Sequence, residues 1–274
     1  MKSTISHIVE QLTPLYPADE ARALAWWIVE ETTGKSRTEL LTACKGTTFS
    51  PDLQMIVARL LKKEPIQYVF GHTLWYGLDL KVTSATLIPR PETAELVDLV
   101  SQNPVLKAVP HPVRLLDIGT GSGCIALALK KAHQEWKVSG LDVSAKALAV
   151  ARENGCRNGL EVEWIEADIM TSMIDRYDVI VSNPPYIAES ERAEMDANVL
   201  DFEPHSALFV PDDDPLCFYR RIASLRAAEW VYFEINPRYA EPMVDMMQHL
   251  GYTEITIHND VYGKTRILSG RVAQ

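Results

Sequence analysis

Ile5, Ile8, Val9 and Leu12 share one helical face, as do Ala21, Leu24, Trp27 and Ile28 in a second segment that Thr32-Thr33-Gly34 ends. Ser50-Pro51-Asp52 reads as an N-cap followed by proline at the first helical position, and Leu53, Ile56, Val57 and Leu60 then supply a buried stripe. Residues 1–70 are therefore predicted to form a small helical bundle. The period changes at Gln67. Tyr68-Val69-Phe70-Gly71 and the run 74–82 are rich in β-formers punctuated by glycine, which predicts a hairpin. With the proline-stiffened stretch Leu87-Ile88-Pro89-Arg90-Pro91-Glu92-Thr93, leading into a helix over 92–102, it makes a linker region spanning 71–111.

Over 112–274 the pattern alternates. Strands are predicted at 113–117, 136–142, 162–167, 177–182 and 230–235, and helices at 122–133, 145–158, 215–225 and 239–250. Two more strands, 254–258 and 265–271, close the chain with no helix between them. This is the signature of an α/β fold with a mostly parallel sheet covered on both faces. The helix-free return implies one antiparallel pair near the C-terminus.

Composition narrows the class. At 47% hydrophobic the chain can bury a large core, and no stretch approaches the ~20 apolar residues of a membrane span. The N-terminus lacks the apolar run of a secretory signal, and the four cysteines, Cys44, Cys124, Cys156 and Cys217, show no C-x-x-C spacing. Reduced thiols in a cytoplasmic protein are expected. The histidines form no H-x-x-x-H pair, so no metal site is expected. A formal charge of −10 disfavours binding to nucleic acid through phosphates.

The first chemical signal is Asp117-Ile118-Gly119-Thr120-Gly121-Ser122-Gly123, a strand end, a glycine turn and a helix start. Glycines let a ligand approach the backbone, and a helix N-terminus favours carboxylates. Asp142 ends the next strand at the spacing where an acid bonds ribose hydroxyls. Cys124 breaks the dinucleotide fingerprint G-x-G-x-x-G, which argues against a nicotinamide enzyme. S-adenosyl-L-methionine, with an amino group, a ribose and an adenine but no phosphate, fits better. Asp117 and the turn suit its methionine end and Asp142 its ribose. Asp168, beside Ile169 after the third strand, either faces adenine or caps the following segment.

The second signal is Asn183-Pro184-Pro185-Tyr186, at the end of the strand over 177–182. Two prolines fix the backbone and remove two N–H donors, leaving carbonyls free to accept. The asparagine amide adds an acceptor and a donor, and the tyrosine a ring. The tetrapeptide either stiffens a strand-end turn or grips a planar –NH2 group. The prolines over 89–91 either stiffen a helix entry or wall the site. The acidic residues Glu189, Glu191, Glu194, Asp196, Asp201 and Glu203 read as a solvated face that can also meet a basic partner.

With these blocks in hand, the chain resembles class I S-adenosylmethionine-dependent methyltransferases and, more closely, the PrmC/HemK family of release-factor glutamine methyltransferases. The resemblance rests on Ile88-Pro89-Arg90-Pro91-Glu92-Thr93, on residues 117–127, on Ser182-Asn183-Pro184-Pro185-Tyr186-Ile187, on Phe202-Glu203-Pro204 with Ala207-Leu208, and on Asp260-x-x-Gly263-x-x-Arg266. It implies a Rossmann-like sheet and methyl transfer from S-adenosyl-L-methionine, leaving S-adenosyl-L-homocysteine. The acceptor would be the N5 amide nitrogen of glutamine in the Gly-Gly-Gln motif of class 1 peptide-chain release factors, held in part by the N-terminal bundle. Gly119, Thr120, Gly121, Ser122, Gly123, Asp142, Asp168, Ile169 and Asn183 would line the cofactor. Asn183, Pro184, Pro185 and Tyr186 would clamp the glutamine, with Asn183, Pro184 and Tyr186 as the catalytic group. Three positions depart from the family pattern: Ile169 stands where an aromatic is common, residues 209–215 lack a glycine-rich turn, and Glu234-Ile235-Asn236 replaces Glu-x-Gly. None touches the clamp, so activity is expected. The competing expectations are a methyltransferase of exocyclic amines on nucleic-acid bases, which would stack a flipped base on Tyr186, and a non-catalytic binding module.

Overall fold

The computed structural model describes residues 2–42 and 51–273. The chain forms two compact units, Met1–Phe70 with Ala197–Phe202, and Gly71–Asp196 with Glu203–Gln274.

The first unit is helical, with helices Lys2–Leu12, Ala18–Thr33, Arg37–Thr42, Pro51–Leu60, Ile66–Phe70 and Ala197–Phe202. Ile8, Leu12, Ala21, Ala25, Ile28, Leu53, Val57 and Leu60 meet in its core, as their spacing requires. Gly34 ends the second helix in the left-handed conformation (φ 64°), its N–H bonded to the Glu30 carbonyl. Ser50, the expected cap, lies outside the described residues. One expectation fails: Tyr68-Val69-Phe70 is helical, not extended. The Pro65 carbonyl accepts from Tyr68 N at 2.9 Å and Val69 N at 3.0 Å. The Arg59 guanidinium bonds the Tyr68 and Val69 carbonyls at 3.1 and 2.9 Å. A short helix with its end carbonyls satisfied by a side chain outweighs the β preference of its residues.

The second unit opens with the hairpin β1 (His72–Trp75) and β2 (Leu78–Lys81). Its main sheet comprises β3 (Arg114–Ile118), β4 (Lys137–Asp142), β5 (Glu163–Glu166) and β6 (Tyr177–Ser182), joined after the small parallel pair β7 (Ile187–Ala188) and β8 (Phe209–Val210) by β9 (Ala228–Glu234), β10 (Tyr252–Asn259) and β11 (Thr265–Val272). The order is β10-β11-β9-β6-β3-β4-β5. Only β11 runs against its neighbours. Because it inserts between β10 and β9, it makes two antiparallel pairings where the terminal pattern implied one. The central strands β3 and β6 are buried on both faces, which explains their unbroken apolar runs. Helices Thr93–Gln102 and Cys124–Ala132 pack on one face with Leu115, Val179 and Val181. Cys217–Ser224 and Ala240–His249 pack on the other with Leu116 and Ile180.

The order in which strands are added reverses between the parallel neighbours β3 and β6, the switch point where α/β sheets bind ligands. The hairpin is tied to this point. Fully buried Asn154, on helix Ala145–Asn158, exchanges two hydrogen bonds with the Lys81 backbone and donates to the Ser122 carbonyl at 2.9 Å. Among the described residues no helix is long and apolar enough to cross a membrane.

Candidate active site

A cleft of about 160 Å³ opens at the C-terminal ends of β3, β4 and β6. On one side lies the glycine turn. Gly119, Gly121 and Gly123 have φ of 73°, 55° and 81°, a region that costs any residue with a Cβ. The turn is held from below: the Leu141 carbonyl accepts from Gly119 N at 2.8 Å and Thr120 N at 3.0 Å. A Cβ on Gly123 would stand 2.7 Å from Cη2 of Trp164, and one on Gly140 2.6 Å from Cζ3 of the same ring. The indole therefore sets how closely β3, β4 and the turn can approach. The helix starts at Cys124 rather than at Ser122, because left-handed Gly123 occupies the cap.

Two carboxylates serve this turn. Asp142, at the end of β4, accepts from Gly121 N (2.8 Å) and Ser144 N (2.9 Å), one bond to each oxygen. A carboxylate has room for further donors, so sugar hydroxyls can still bond it; burial raises its pKa. Asp117 is fully buried. Its Oδ2 accepts from the Thr120 hydroxyl (2.6 Å) and Ala126 N (3.3 Å), while its Oδ1 has no partner among the described residues. Burial, outweighing those two bonds, pushes its pKa up to about 7. Asp117 is not among the cleft-lining residues; its carboxylate supports the turn from beneath, and its negative charge there favours a positively charged group in the cleft above. Phosphate would be repelled. The donor set thus fits the amino group and ribose of S-adenosyl-L-methionine. Asp168 and Ile169 also line the cleft. Asp168 is in addition a local cap, its Oδ1 accepting from Met170 N at 2.9 Å, and Ile169 is buried. The Cys124 thiol, pushed up to about 12 chiefly by burial, is no nucleophile.

Asn183, Pro184 and Pro185 line the same cleft, following β6, whose Ser182 pairs with Ile118 at the end of β3. The Ser182 hydroxyl donates to the Ile118 carbonyl at 2.7 Å, locking the end of β6 to the end of β3. Tyr186 is placed differently from a ring stacked on the ligand. It is not among the cleft-lining residues. Its hydroxyl lies 3.3 Å from Oε1 of Glu234, and its carbonyl accepts from Asn236 Nδ2 at 3.3 Å, so the departure at Asn236 touches the tetrapeptide after all, through a side chain that glycine would lack. Burial, with Glu234 beside it, raises its pKa, so it stays a neutral phenol.

Four residues, Glu203, Glu191, Glu234 and Thr93, matter more than their patterns indicated. Glu203 belongs to no solvated face: its side chain is 2% exposed, paired to Arg90 at 2.6 Å and accepting from Ile88 N at 3.2 Å. It fixes the proline loop 88–93, whose Pro89, Arg90 and Thr93 line the cleft. That loop precedes the helix, which starts at Thr93, so Pro91 sits in a turn rather than in the first helical position. Glu191, from the same acidic run, is bonded by Asn236 and Arg238. Glu234 is buried, and its Oε2 accepts from the Thr93 hydroxyl at 2.7 Å. The one sequence signal for Thr93 and Glu234 was their place in the family blocks. Asp260 closes the last hairpin by accepting from Tyr262 N, Lys264 N and Arg266 Nε, which explains the terminal Asp-Gly-Arg spacing.

Comparison with known proteins agrees with this geometry. Residues 4–71 match the PrmC N-terminal domain and residues 96–201 the methyltransferase small domain. A release factor glutamine methyltransferase of Bacteroides thetaiotaomicron is 43% identical over 98% of this chain and 99% of its own length. That of Flavobacterium psychrophilum is 35% identical over 98% of both, and that of Streptococcus pneumoniae 39% identical over 78% of this chain and 77% of its own. Among solved structures, a methyltransferase from Pyrococcus furiosus aligns with a TM-score of 0.53 at 19% identity, covering 79% of this chain and 98% of its own. The catalytic domain of hMettl16 in complex with a 3'UTR hairpin aligns at 0.60 and 20% identity, covering 76% and 82%. These two likenesses concern the fold, whereas the Bacteroides and Flavobacterium relatives match nearly the whole chain. The chain belongs to the family of release factor glutamine methyltransferases.

Proposed function

We propose that the chain transfers a methyl group from S-adenosyl-L-methionine to the N5 amide nitrogen of the glutamine in the Gly-Gly-Gln motif of class 1 peptide-chain release factors. The observation that carries the reading is that Asn183, Pro184 and Pro185 line one cleft with the glycine turn and Asp142. When bound, S-adenosyl-L-methionine supplies an electrophilic methyl group on a sulfonium.

A carboxamide nitrogen is a poor nucleophile because its lone pair is delocalised, so this chain's task is placement. The Asn183 side-chain oxygen and the Pro184 carbonyl accept the two hydrogens of the substrate –NH2. Together they fix its plane and aim the nitrogen into the cleft. Positioning of this kind supplies ~7–11 kcal/mol in favourable cases. The same two acceptors stabilise the positive charge that grows on the nitrogen. Tyr186 acts from behind as a brace of the tetrapeptide, anchored on Glu234 and Asn236. The PrmC-type N-terminal unit contributes to holding the release factor, and the reaction takes place in the cytoplasm, with no direct contact to nucleic acid.

Incubation of the chain with labelled methyl donor and either a class 1 release factor or duplex DNA tests the reading. Label is expected on the release factor. Label on an exocyclic amine of the DNA, with none on the factor, would overturn it.

A further inference from the structure

We infer that Thr93 and Glu234 form a positioning relay that decides which end of the Asn183 amide faces the cleft. The inference rests on the proposed role of Asn183 and deepens it. An asparagine amide has two nearly isosteric orientations, one presenting oxygen and the other presenting NH2. Only the oxygen can accept from a substrate –NH2. Something must therefore exclude the other orientation, and the prolines that follow cannot, because they fix the backbone and not the side-chain flip.

The contacts behind Asn183 do so by proton counting. Asn183 Nδ2 lies 3.5 Å from the Thr93 hydroxyl, and that hydroxyl donates to Glu234 Oε2 at 2.7 Å. A hydroxyl has one proton, and here the shorter bond takes it. Burial raises the Glu234 pKa, while the bonds from Thr93 and Tyr186 and the charge of Arg266 oppose that shift; as the ionised carboxylate, Glu234 only accepts, so it cannot return a proton to Thr93. The hydroxyl can then serve Asn183 only as an acceptor. The –NH2 end of Asn183 is held toward Thr93, and no donor among the described residues holds its Oδ1. Asn183 itself lines the cleft with Pro184 and Pro185.

Glu234 is held as such a part needs to be. It ends β9, 3% exposed, next to β6 in the sheet. Tyr186 donates to its second oxygen at 3.3 Å, and the Tyr219 hydroxyl donates to its backbone carbonyl at 2.8 Å. The carboxylate cannot rotate without giving up Tyr186. The residues of the relay come from three distant stretches of chain, and they converge on one side-chain amide. Thr93 and Glu234 are assigned to act through Asn183 and are therefore positioning residues.

The test uses purified full-length chain carrying Thr93→Val, Thr93→Ser or Glu234→Gln, with donor affinity by calorimetry and a thermal melt on each. Turnover is measured on a class 1 release factor. Binding is compared for that factor and for the same factor with the motif glutamine changed to glutamate. Thr93→Val keeps the shape and removes the relay. Its turnover is expected to fall by about 10- to 100-fold, with donor affinity kept. The freed amide can turn its –NH2 toward a carboxylate, so preference for glutamine over glutamate is expected to drop by about tenfold. Thr93→Ser, which keeps the hydroxyl, should restore both quantities. In Glu234→Gln the new amide can donate to Thr93 and reverse the relay. It should show the same two losses, and it carries the test if Thr93→Val does not fold. Unchanged turnover, or reduced turnover with glutamine preference intact, would overturn the relay. A wild-type chain that leaves the release factor unmethylated would instead overturn the functional reading.

Discussion

Asp117→Asn is expected to change the pH dependence of stability, and the size of the change follows from its burial. The pKa of Asp117 stands at about 7 against an ordinary value of 3.8, with desolvation the largest cause. At ~1.4 kcal/mol per unit, ionising this carboxyl in the ligand-free fold costs on the order of 4 kcal/mol. Because the folded pKa is raised, the folded state keeps a proton that the unfolded chain releases between about pH 4 and pH 7. Over that window the group removes stability as pH rises, and the loss is complete above it. The variant has no proton to lose. Its amide oxygen can still accept from Thr120 and Ala126, but its –NH2 takes the place of Oδ1, which has no partner. An unsatisfied buried group costs about 1–3 kcal/mol at every pH. The two stability curves should therefore cross: wild type ahead at pH 4, the variant ahead by about 1–3 kcal/mol at pH 8. Urea unfolding at half-unit intervals, without cofactor, measures both curves. Parallel curves would refute the reasoning. Binding of the cofactor's amino group should pull the Asp117 proton off near pH 7, and calorimetry in two buffers of different ionisation enthalpy should register its release.

Further outcomes follow from the same structure. Asn183→Ala should leave cofactor affinity within about twofold and lower turnover by about 10²–10³-fold, as loss of one preorganised charge-stabilising group does; full turnover would contradict the clamp. Gly140→Ala forces a Cβ to 2.6 Å from Trp164 and 2.9 Å from the Thr120 hydroxyl, which should cost about 1–3 kcal/mol in a thermal melt and weaken cofactor binding through the turn. Arg90→Ala leaves buried Glu203 with the Ile88 N–H as its remaining bond. About 2–3 kcal/mol of stability should be lost, less than for a fully buried pair because the Arg90 side chain is 34% exposed.

Local features were legible and long-range ones were not. Helix Ala145–Asn158 could be read to the residue, because Ser144 caps it and Gly159 ends it within the same stretch of chain. Strand Tyr177–Ser182 was equally clear, since a central parallel strand is apolar throughout. Tyr68-Val69-Phe70 misled because Arg59, from the preceding helix, satisfies carbonyls that strand propensity cannot foresee. In the site, the glycine turn and Asn183-Pro184-Pro185-Tyr186 carry their chemistry in consecutive residues. Glu203 looked like one acid in a solvated run because its partner Arg90 lies 113 residues away. Glu234 and Thr93, 141 residues apart, meet only because helix Thr93–Gln102 packs against β9. Tyr186 was read as a stacking ring from its neighbours in sequence, yet it does not line the cleft and its hydroxyl meets the buried Glu234.

The central claim is that one cleft holds a methyl donor on the glycine-turn side and a glutamine amide on the Asn183 side. Peptide mass spectrometry of a class 1 release factor, after incubation with the chain and S-adenosyl-L-methionine, tests it most directly. The account predicts a single added methyl group on the side-chain nitrogen of the Gly-Gly-Gln glutamine. An unmodified glutamine with the methyl group on another residue would contradict it.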